Sequence, residues 1–402
     1  MTRRRTLIAG AAAGALVLSV GGVTLAYAQG DEAYEPVHVA HRAGGGLAPE
    51  MTDAAFTSAL EHNPDRIEVD VQLSSDDVPV LMHDDNLKRT TDVEEVFPGR
   101  EEDPVNTFTF DELSTLDAGA YFHEDFAGER IPTFDDIMDY VHDEGVGVSI
   151  ELKSPSLNPG LEQVVSDVID SDERWNDLIE NEIVSFISFD QESLKRAVEL
   201  QPDIPAAWLQ TDVPDDETLA EVAEWTDIFG TSYRTLQDDT LDRLRSHGFE
   251  VILWTMNSPE VLSWALENEI EYLTTDFGNV LDAVENDADP FPDANGVEVS
   301  GVETEGDLDP EEGEHVVLTN VADEAIDVSG YYVRDSPHNV LRVGDGYVLE
   351  PGAELRVYTG PGTNAEDRYY NDLPAPILFP APGGTSLATW SADNLLLDVF
   401  AY

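Results

Sequence analysis

Cysteine is absent from this 402-residue chain, and lysine nearly so: Lys88, Lys153 and Lys195 are the only ones. The first absence excludes disulfides and any thiolate metal site. The second leaves arginine to carry most of the 20 positive charges, set against 84 acidic residues for a formal net charge of -64. Such a surface repels nucleic acid and anionic membranes at low salt, which excludes a binder of phosphate backbones. It suits strong brine, where a Debye length of about 3 Å at 1 M salt screens the self-repulsion; an acidic secreted protein is the plainer alternative. Hydrophobic content of 41% suffices for packed cores, and the length allows one large domain plus a smaller one.

Long apolar runs are missing as well, except at the N-terminus. There Arg3-Arg4-Arg5 precedes the apolar stretch from Leu7 to Ala26, and Ala26-Tyr27-Ala28 offers a small-residue cleavage site. Residues 1–28 therefore read as an export signal. The consecutive arginines resemble the twin-arginine type, although Thr6 stands where an aromatic is common. A retained anchor is the alternative, since the run nears spanning length. The expected location is secreted, extracellular or associated with the cell envelope.

What is present begins with Val39-Ala40-His41-Arg42-Ala43-Gly44-Gly45-Gly46, a short strand that delivers a basic pair into a glycine turn. Glycines there let the backbone approach a ligand closely. Next, Arg66 to Leu73 alternates apolar and polar residues, so Glu68 and Asp70 share one face. Too few residues separate this run from Val78-Pro79-Val80-Leu81-Met82-His83 for a parallel crossover, so the two form a hairpin. A turn centred between Ser75 and Asp76 places His83 opposite Glu68.

Residues 84–130 read as an insertion over the site, with a short helix near Asp111 to Leu116. Thr133 then caps a helix whose first turn holds Asp135 and Asp136. Strands follow at Gly147 to Leu152, Ile183 to Ser188, Ala206 to Leu209, Ile228 to Gly230, Glu250 to Trp254 and Tyr272 to Thr275, with helical spacing between them. With the first two strands the count is eight, which predicts an α/β fold, a (β/α)8 TIM barrel over residues 36–285. A doubly wound open sheet is the runner-up, but no dinucleotide glycine fingerprint follows the first strand. Residues 286–295 are an acidic, Pro-containing linker, and 296–402 carry short Gly- and Pro-punctuated strands that suit a small all-β sandwich.

In a parallel barrel the C-terminal strand ends meet at one mouth. His41, Arg42, Glu68, Asp70, Glu151 and Lys153 fall there, with Glu50 after the glycine turn, His83 from the hairpin arm and Trp254 ending the seventh strand. Glu68, Asp70 and Glu151 are three hard oxygen ligands, suited to one divalent cation, Ca2+ or Mg2+. Arg42 and Lys153 beside them make an anion pocket, and the two histidines can move protons. The set is suited to phosphodiester cleavage.

His41-Arg42 with Pro49-Glu50, the Glu68-x-Asp70-Val71-Gln72 run, Val80-x-x-His83-Asp84, Glu151-Leu152-Lys153, Trp254-Thr255-x-Asn257 and Thr274-Thr275-Asp276 together resemble the glycerophosphodiester phosphodiesterase family, over about residues 36 to 285. The resemblance implies a TIM barrel that hydrolyses a small glycerophosphodiester to sn-glycerol 3-phosphate and an alcohol. It implies metal ligands at Glu68, Asp70 and Glu151, phosphate contacts at Arg42 and Lys153, and an acid–base pair at His41 and His83, with Glu50 and Trp254 in support. It also implies attack by the glycerol 2-hydroxyl through a cyclic phosphate, and leaves open which histidine is the base. Ala43 and Met51 depart from the family's Gly and Asn, and Met51 is expected to loosen the loop around Glu50. The rivals are a sphingomyelinase D- or lysophospholipase D-like enzyme of the same superfamily, and a catalytically silent envelope-binding protein.

Residues 297 to 402 resemble the lamin-tail domain, an immunoglobulin-like sandwich, through His315-Val316-Val317-Leu318-Thr319-Asn320, Val328-Ser329-Gly330-Tyr331 and Leu349-x-Pro351-Gly352. That resemblance implies contact with the cell envelope or a protein; a passive stabilising appendage is the plainer reading.

Overall fold

All eight residues of Arg66–Leu73 are buried, so both faces of this alternating strand are covered. The computed structural model describes residues 34–402 apart from 238, 307, 337 and 379–385, so the expected export segment 1–28 lies outside the described residues. The chain runs through β1 (Val37–Ala40), β2 (Arg66–Leu73), the hairpin arm β3 (Pro79–Leu81), β4 (Gly147–Leu152), β5 (Val184–Ser188), β6 (Ala206–Gln210), β7 (Ile228–Ser232), β8 (Glu250–Trp254) and β9 (Tyr272–Thr275). All but β3 are parallel, each beside the next. β9 returns to β1 from Val37↔Tyr272 to Ala40↔Thr275, and β1 meets β2 at Val39↔Arg66 and Ala40↔Ile67. The sheet is closed, so the barrel expectation holds and the open-sheet alternative fails.

Inside the barrel Val37, Val39, Ile187, Leu209, Ile252 and Tyr272 pack together. At the opposite end from the mouth, buried Arg66 donates to Ser185 Oγ at 2.8 Å and to the Glu182 carbonyl at 3.1 Å. The outer helices start where short polar side chains can satisfy their orphan N–H groups. Thr52, Asp190, Asp215 and Ser258 each accept from the N–H three residues on, and Thr133 forms a capping box with Asp136.

The hairpin differs from the sequence expectation by one residue. Observed partners are Val71↔Leu81, Gln72↔Val80 and Leu73↔Pro79. The turn is a three-residue loop closed by the Ser74 N–H to the Val78 carbonyl at 2.9 Å, with Asp77 left-handed at φ 61°. Its mirror point is therefore Asp76, so His83 does not face Glu68 directly. Residues 84–130 form an arm with its own apolar core of Leu87, Val93, Val105, Phe108, Leu113 and Leu116, sealed onto Val80 and Met82 of the hairpin. Its helices, Val93–Val96 and Phe110–Leu113, are one turn each.

Beyond the helix Gly278–Glu285 the chain is all β. The strands are β10 (Val297–Glu303), β11 (His315–Asn320), β12 (Ile326–Asp327), β13 (Tyr332–Asp335), β14 (Val340–Arg342), β15 (Val348–Leu349), β16 (Glu354–Tyr358), β17 (Arg368–Tyr370), β18 (Ser386–Trp390) and β19 (Leu396–Ala401). They make two four-stranded sheets, β10-β11-β16-β17 and β14-β13-β18-β19, with β12 and β15 as a separate pair. Val316, Leu318 and Val357 of the first sheet share a core with Val333, Leu341 and Leu387 of the second. The second sheet turns its other face to the barrel: Tyr332, Ala388, Trp390 and Val399 belong to the same apolar cluster as the barrel and its helices.

Continuous cores unfold together, so thermal denaturation of the full chain should be one transition. Trp390→Ala should lower its stability by about 3–5 kcal/mol. Two well-separated calorimetric transitions in the unaltered chain would sink this reading.

Candidate active site

β1 brings His41 and Arg42 to the mouth and stops there, because Arg42 and Ala43 adopt left-handed φ of 48° and 58° and Gly44 follows at 80°. Left-handed backbone costs a residue with a side chain about 1–2 kcal/mol. Hydrogen bonds hold the turn against that cost. The His41 carbonyl accepts from Gly44 and Gly45, and the Met51 N–H donates to the Arg42 carbonyl at 3.0 Å. The Arg42 N–H donates to Glu68 Oε2 at 2.7 Å. At Gly46 a Cβ would stand 2.7 Å from the Phe277 ring. This glycine is thus required by packing against the end of β9, not by a ligand. Met51 is buried, and its sulfur accepts from the Asp70 N–H at 3.3 Å. The residue expected to loosen the loop instead anchors it beneath β2.

Asp70 and Glu151 are register partners on β2 and β4. With Glu68 they form a buried cluster in which one oxygen from each lies within 4.8 Å of the others. Burial, then the charges of Asp70 and Glu151, raise the Glu68 pKa well above the carboxylate range. Burial likewise pushes Glu151 up to about 7, against the pull of Lys153. Burial also opposes ionisation of Asp70, but Lys153, His83, Arg42 and His41 outweigh it and bring Asp70 down to about 2. The Lys153 ammonium sits 3.1 Å from Asp70 Oδ1 and 3.0 Å from Glu151 Oε1. The distance to Asp70 is that of an ion pair, yet its alignment is not a hydrogen bond, and both Asp70 oxygens lack a hydrogen-bond partner. Three crowded, buried, under-satisfied carboxylates fit a divalent cation.

Each histidine is backed by an aspartate. His41 Nδ1 is 2.6 Å from Asp276 Oδ1, and His83 Nδ1 is 2.7 Å from Asp84 Oδ1. Burial opposes ionisation of Asp276, but His41, Arg42 and Asn257 hold its pKa below the usual value. Asp84 is also lowered: burial is outweighed by His83 and by Arg89, which donates to both its oxygens at 2.6 and 2.9 Å. An ionised carboxylate only accepts, so each Nδ1 carries the proton and Nε2 is the basic nitrogen of the neutral ring. Burial, then Arg42, lowers the His83 pKa and favours that neutral form.

Glu50 is not a spare base. Arg89 grips both its oxygens, at 2.9 and 2.7 Å, and Arg42 Nη1 reaches one at 3.3 Å. Burial would raise its pKa, but the two arginines hold it well below the carboxylate range. Its N–H donates to the Tyr121 hydroxyl at 3.2 Å, tying the insertion to the loop. Arg42 Nε is buried without a partner. Trp254, at the end of β8, packs against the apolar cluster inside the barrel and lies edge to face with Phe189 at 5.9 Å.

The structure thus gathers the nominated His41, Arg42, Glu50, Glu68, Asp70, Glu151 and Lys153, with His83 electrostatically linked to Asp70. Sequence reasoning assigned no role to Asp84, Asp276, Asn257 or Arg89. Asp276 follows the last strand directly, and the strand-end rule that nominated Glu151 would have found it. No spacing rule marks Arg89, whose partner Glu50 is brought to it by the fold.

This fold and site define a barrel phosphodiesterase. A model of the glycerophosphoryl diester phosphodiesterase family matches residues 41–280. YhdW of Bacillus subtilis (strain 168) is 32% identical over 248 residues, 60% of this chain and 95% of that protein. A glycerophosphodiester phosphodiesterase of Caldanaerobacter subterraneus subsp. tengcongensis is 31% identical over 240 residues, 59% of this chain and 93% of the relative. An Oleispira antarctica phosphodiesterase, solved with sn-glycerol-3-phosphate, superposes with a TM-score of 0.55 at 26% identity, over 62% of this chain and 97% of that one. The chain belongs to the glycerophosphoryl diester phosphodiesterase family. The matched segment ends at residue 280, so the β-region lies beyond it.

The raised pKa values of Glu68 and Glu151 set the sign of a cation effect. Protons bind these groups more tightly in the folded chain, so their contribution is favourable below the ordinary glutamate pKa of 4.5 and is lost as pH rises through their raised values, about 7 for Glu151. A divalent cation would replace those protons. Adding Ca2+ or Mg2+ to chelator-treated protein should therefore raise the melting midpoint more at pH 7.5 than at pH 5. An equal rise at both values would count against the carboxylate cluster as the binding site.

Proposed function

We propose that this enzyme hydrolyses glycerophosphodiesters to sn-glycerol 3-phosphate and an alcohol, with His41 and His83 as its acid–base pair. The pairing of each imidazole with an ionised aspartate carries the reading, because it aims a basic Nε2 away from each carboxylate. Glu68, Asp70 and Glu151 would hold one Ca2+ or Mg2+, which supplies Lewis-acid charge to the phosphoryl oxygens when bound. Arg42, kept in place by Glu50, presents its unpartnered Nε to the phosphate. Lys153 adds a second positive charge beside the carboxylates. One histidine takes the proton from the attacking hydroxyl, and the other protonates the departing alkoxide. The attacking group is the glycerol 2-hydroxyl, giving a cyclic phosphate that water opens. That the Oleispira antarctica relative was solved with sn-glycerol-3-phosphate supports the product assignment.

His41→Ala and His83→Ala should each lower kcat by about 10²-fold or more, with stability little changed. The assay is release of glycerol 3-phosphate from glycerophosphocholine, with Ca2+ or Mg2+ restored after chelation. Cleavage of lysophosphatidylcholine or sphingomyelin in preference to glycerophosphocholine would overturn the substrate class. No turnover of any diester by the unaltered protein would favour the silent binding role.

The same reading places the enzyme outside the cytoplasm, on the strength of the arginine-led apolar segment at its N-terminus. Its acidity predicts a salt effect on substrate capture. For the anionic glycerophosphoglycerol, KM should fall as salt rises, because screening removes repulsion by the surface. For zwitterionic glycerophosphocholine it should change little. A KM for the anionic diester that is flat across salt concentration would refute this.

A further inference from the structure

The β-region reaches the barrel mouth at two points, and both lie behind residues assigned to catalysis. The first is a buried chain of hydrogen bonds. Asn257, three residues past the end of β8, donates from Nδ2 to Asp276 Oδ2 at 2.6 Å, and Asp276 holds His41 through its other oxygen. Asn257 Oδ1 accepts from the Asp276 N–H at 2.9 Å and from Thr275 Oγ1 at 3.2 Å. The remaining Nδ2 hydrogen goes out of the barrel, to Ser386 Oγ at 2.9 Å on β18. Ser336 Oγ lies 3.1 Å from Ser386 Oγ and 3.4 Å from the same amide nitrogen. Asn257, Asp276 and Ser386 are all buried, so bulk water does not compete for these bonds. With both amide hydrogens and the carbonyl engaged, the Asn257 side chain has one orientation, and so has the Asp276 carboxylate.

The second point is the loop between β13 and β14. His338 packs against Tyr121 and Phe122 of the insertion, with ring centroids 5.3 Å away in each case, and its Nε2 lies 3.8 Å from Glu50 Oε2. The Arg334 guanidinium lies 3.8 Å over the Phe122 ring. Between the two points a cavity of about 20 Å³, lined by Gly45, Gly46, Asp276, Arg334, Ser336 and Ser386, separates the β-region from the glycine turn. That is room for one water.

We propose that the β-region is a working part of the hydrolase site. Ser386, with Ser336 behind it, is a positioning residue that fixes His41 through Asn257 and Asp276. This rests on His41 being one of the acid–base pair. It also means that the segment after residue 280, outside the family match, completes the orientation of a residue within it.

The test uses the full chain and the variants Ser386→Ala and Ser336→Ala/Ser386→Ala. The double variant should show kcat about tenfold lower with KM within about twofold, as expected when an interaction that orients the proton carrier is lost and substrate binding is not. In an Asp276→Asn background the same two serine substitutions should cost little more, because the link they act through is already broken. An unchanged kcat, or the same fold loss in both backgrounds, would overturn the proposal. Hydrogen–deuterium exchange gives a readout independent of turnover. Amides at Asn257 and Asp276 should exchange faster in the double variant, and unchanged exchange would also overturn it. Failure of the unaltered chain to turn over any glycerophosphodiester would instead refute the assigned reaction, leaving the exchange result to judge the serine link.

Discussion

Three carboxylates share the barrel mouth, and the rest of the site is arranged around that crowding. Like charges about 4 Å apart repel by about 4 kcal/mol at an effective dielectric of 20, and burial removes most of the water that would relieve them. The neighbours divide the relief. Lys153 takes Asp70 and Glu151, while the Arg42 backbone N–H takes Glu68. That last bond requires Arg42 to be left-handed, which in turn requires the loop from Ala43 to Met51 to close back on it. The left-handed turn thus brings one backbone donor to Glu68. Arg42 thus serves Glu68 through its backbone N–H and Glu50 through Nη1, and only its Nε is left without a partner.

The two histidines depend on the same economy of charge at one remove. An aspartate that orients an imidazole must itself stay ionised inside the protein, so each needs a second partner. Asp84 has Arg89, and Asp276 has Asn257. Arg89 also grips Glu50, and Glu50 reaches Arg42. One arginine of the insertion therefore couples the His83 side of the mouth to the Arg42 side. A displacement of the insertion would be felt at both. This gives the segment a structural task, and its own apolar core holds it in shape for that task.

The parts of this architecture that local pattern determines were readable from sequence. Eight buried parallel strands announce themselves as apolar runs, and Glu68, Asp70, Glu151 and Lys153 follow from period-two alternation at strand ends. The hairpin register was misread by one residue because a three-residue loop with a left-handed Asp77 cannot be told from a two- or four-residue turn by composition. In the β-region, β12, β15 and β17 are two or three residues long and carry no periodic signal. Arg89, Tyr121, His338 and Ser386 were invisible for a different reason. Apart from the contact of Arg89 with Asp84, their partners are distant in sequence: Arg89 and Glu50 are 39 residues apart, Tyr121 and Glu50 71, and Ser386 and Asn257 129. No spacing rule reaches that far.

The charge distribution ties the site to the composition. Although the chain carries -64 overall, it commits Arg42, Arg89 and one of its three lysines to a single mouth, where each is mostly buried against a carboxylate. Salt acts differently on the two populations. Exposed acidic groups are screened within a few ångströms at about 1 M, while buried pairs, which have no ions between them, are screened much less. A chain of this composition can therefore lose its surface self-repulsion in brine and keep the contacts that hold His41, His83 and Arg42 in place. The acidity is then a property of the shell, while the buried pairs at the mouth are little screened.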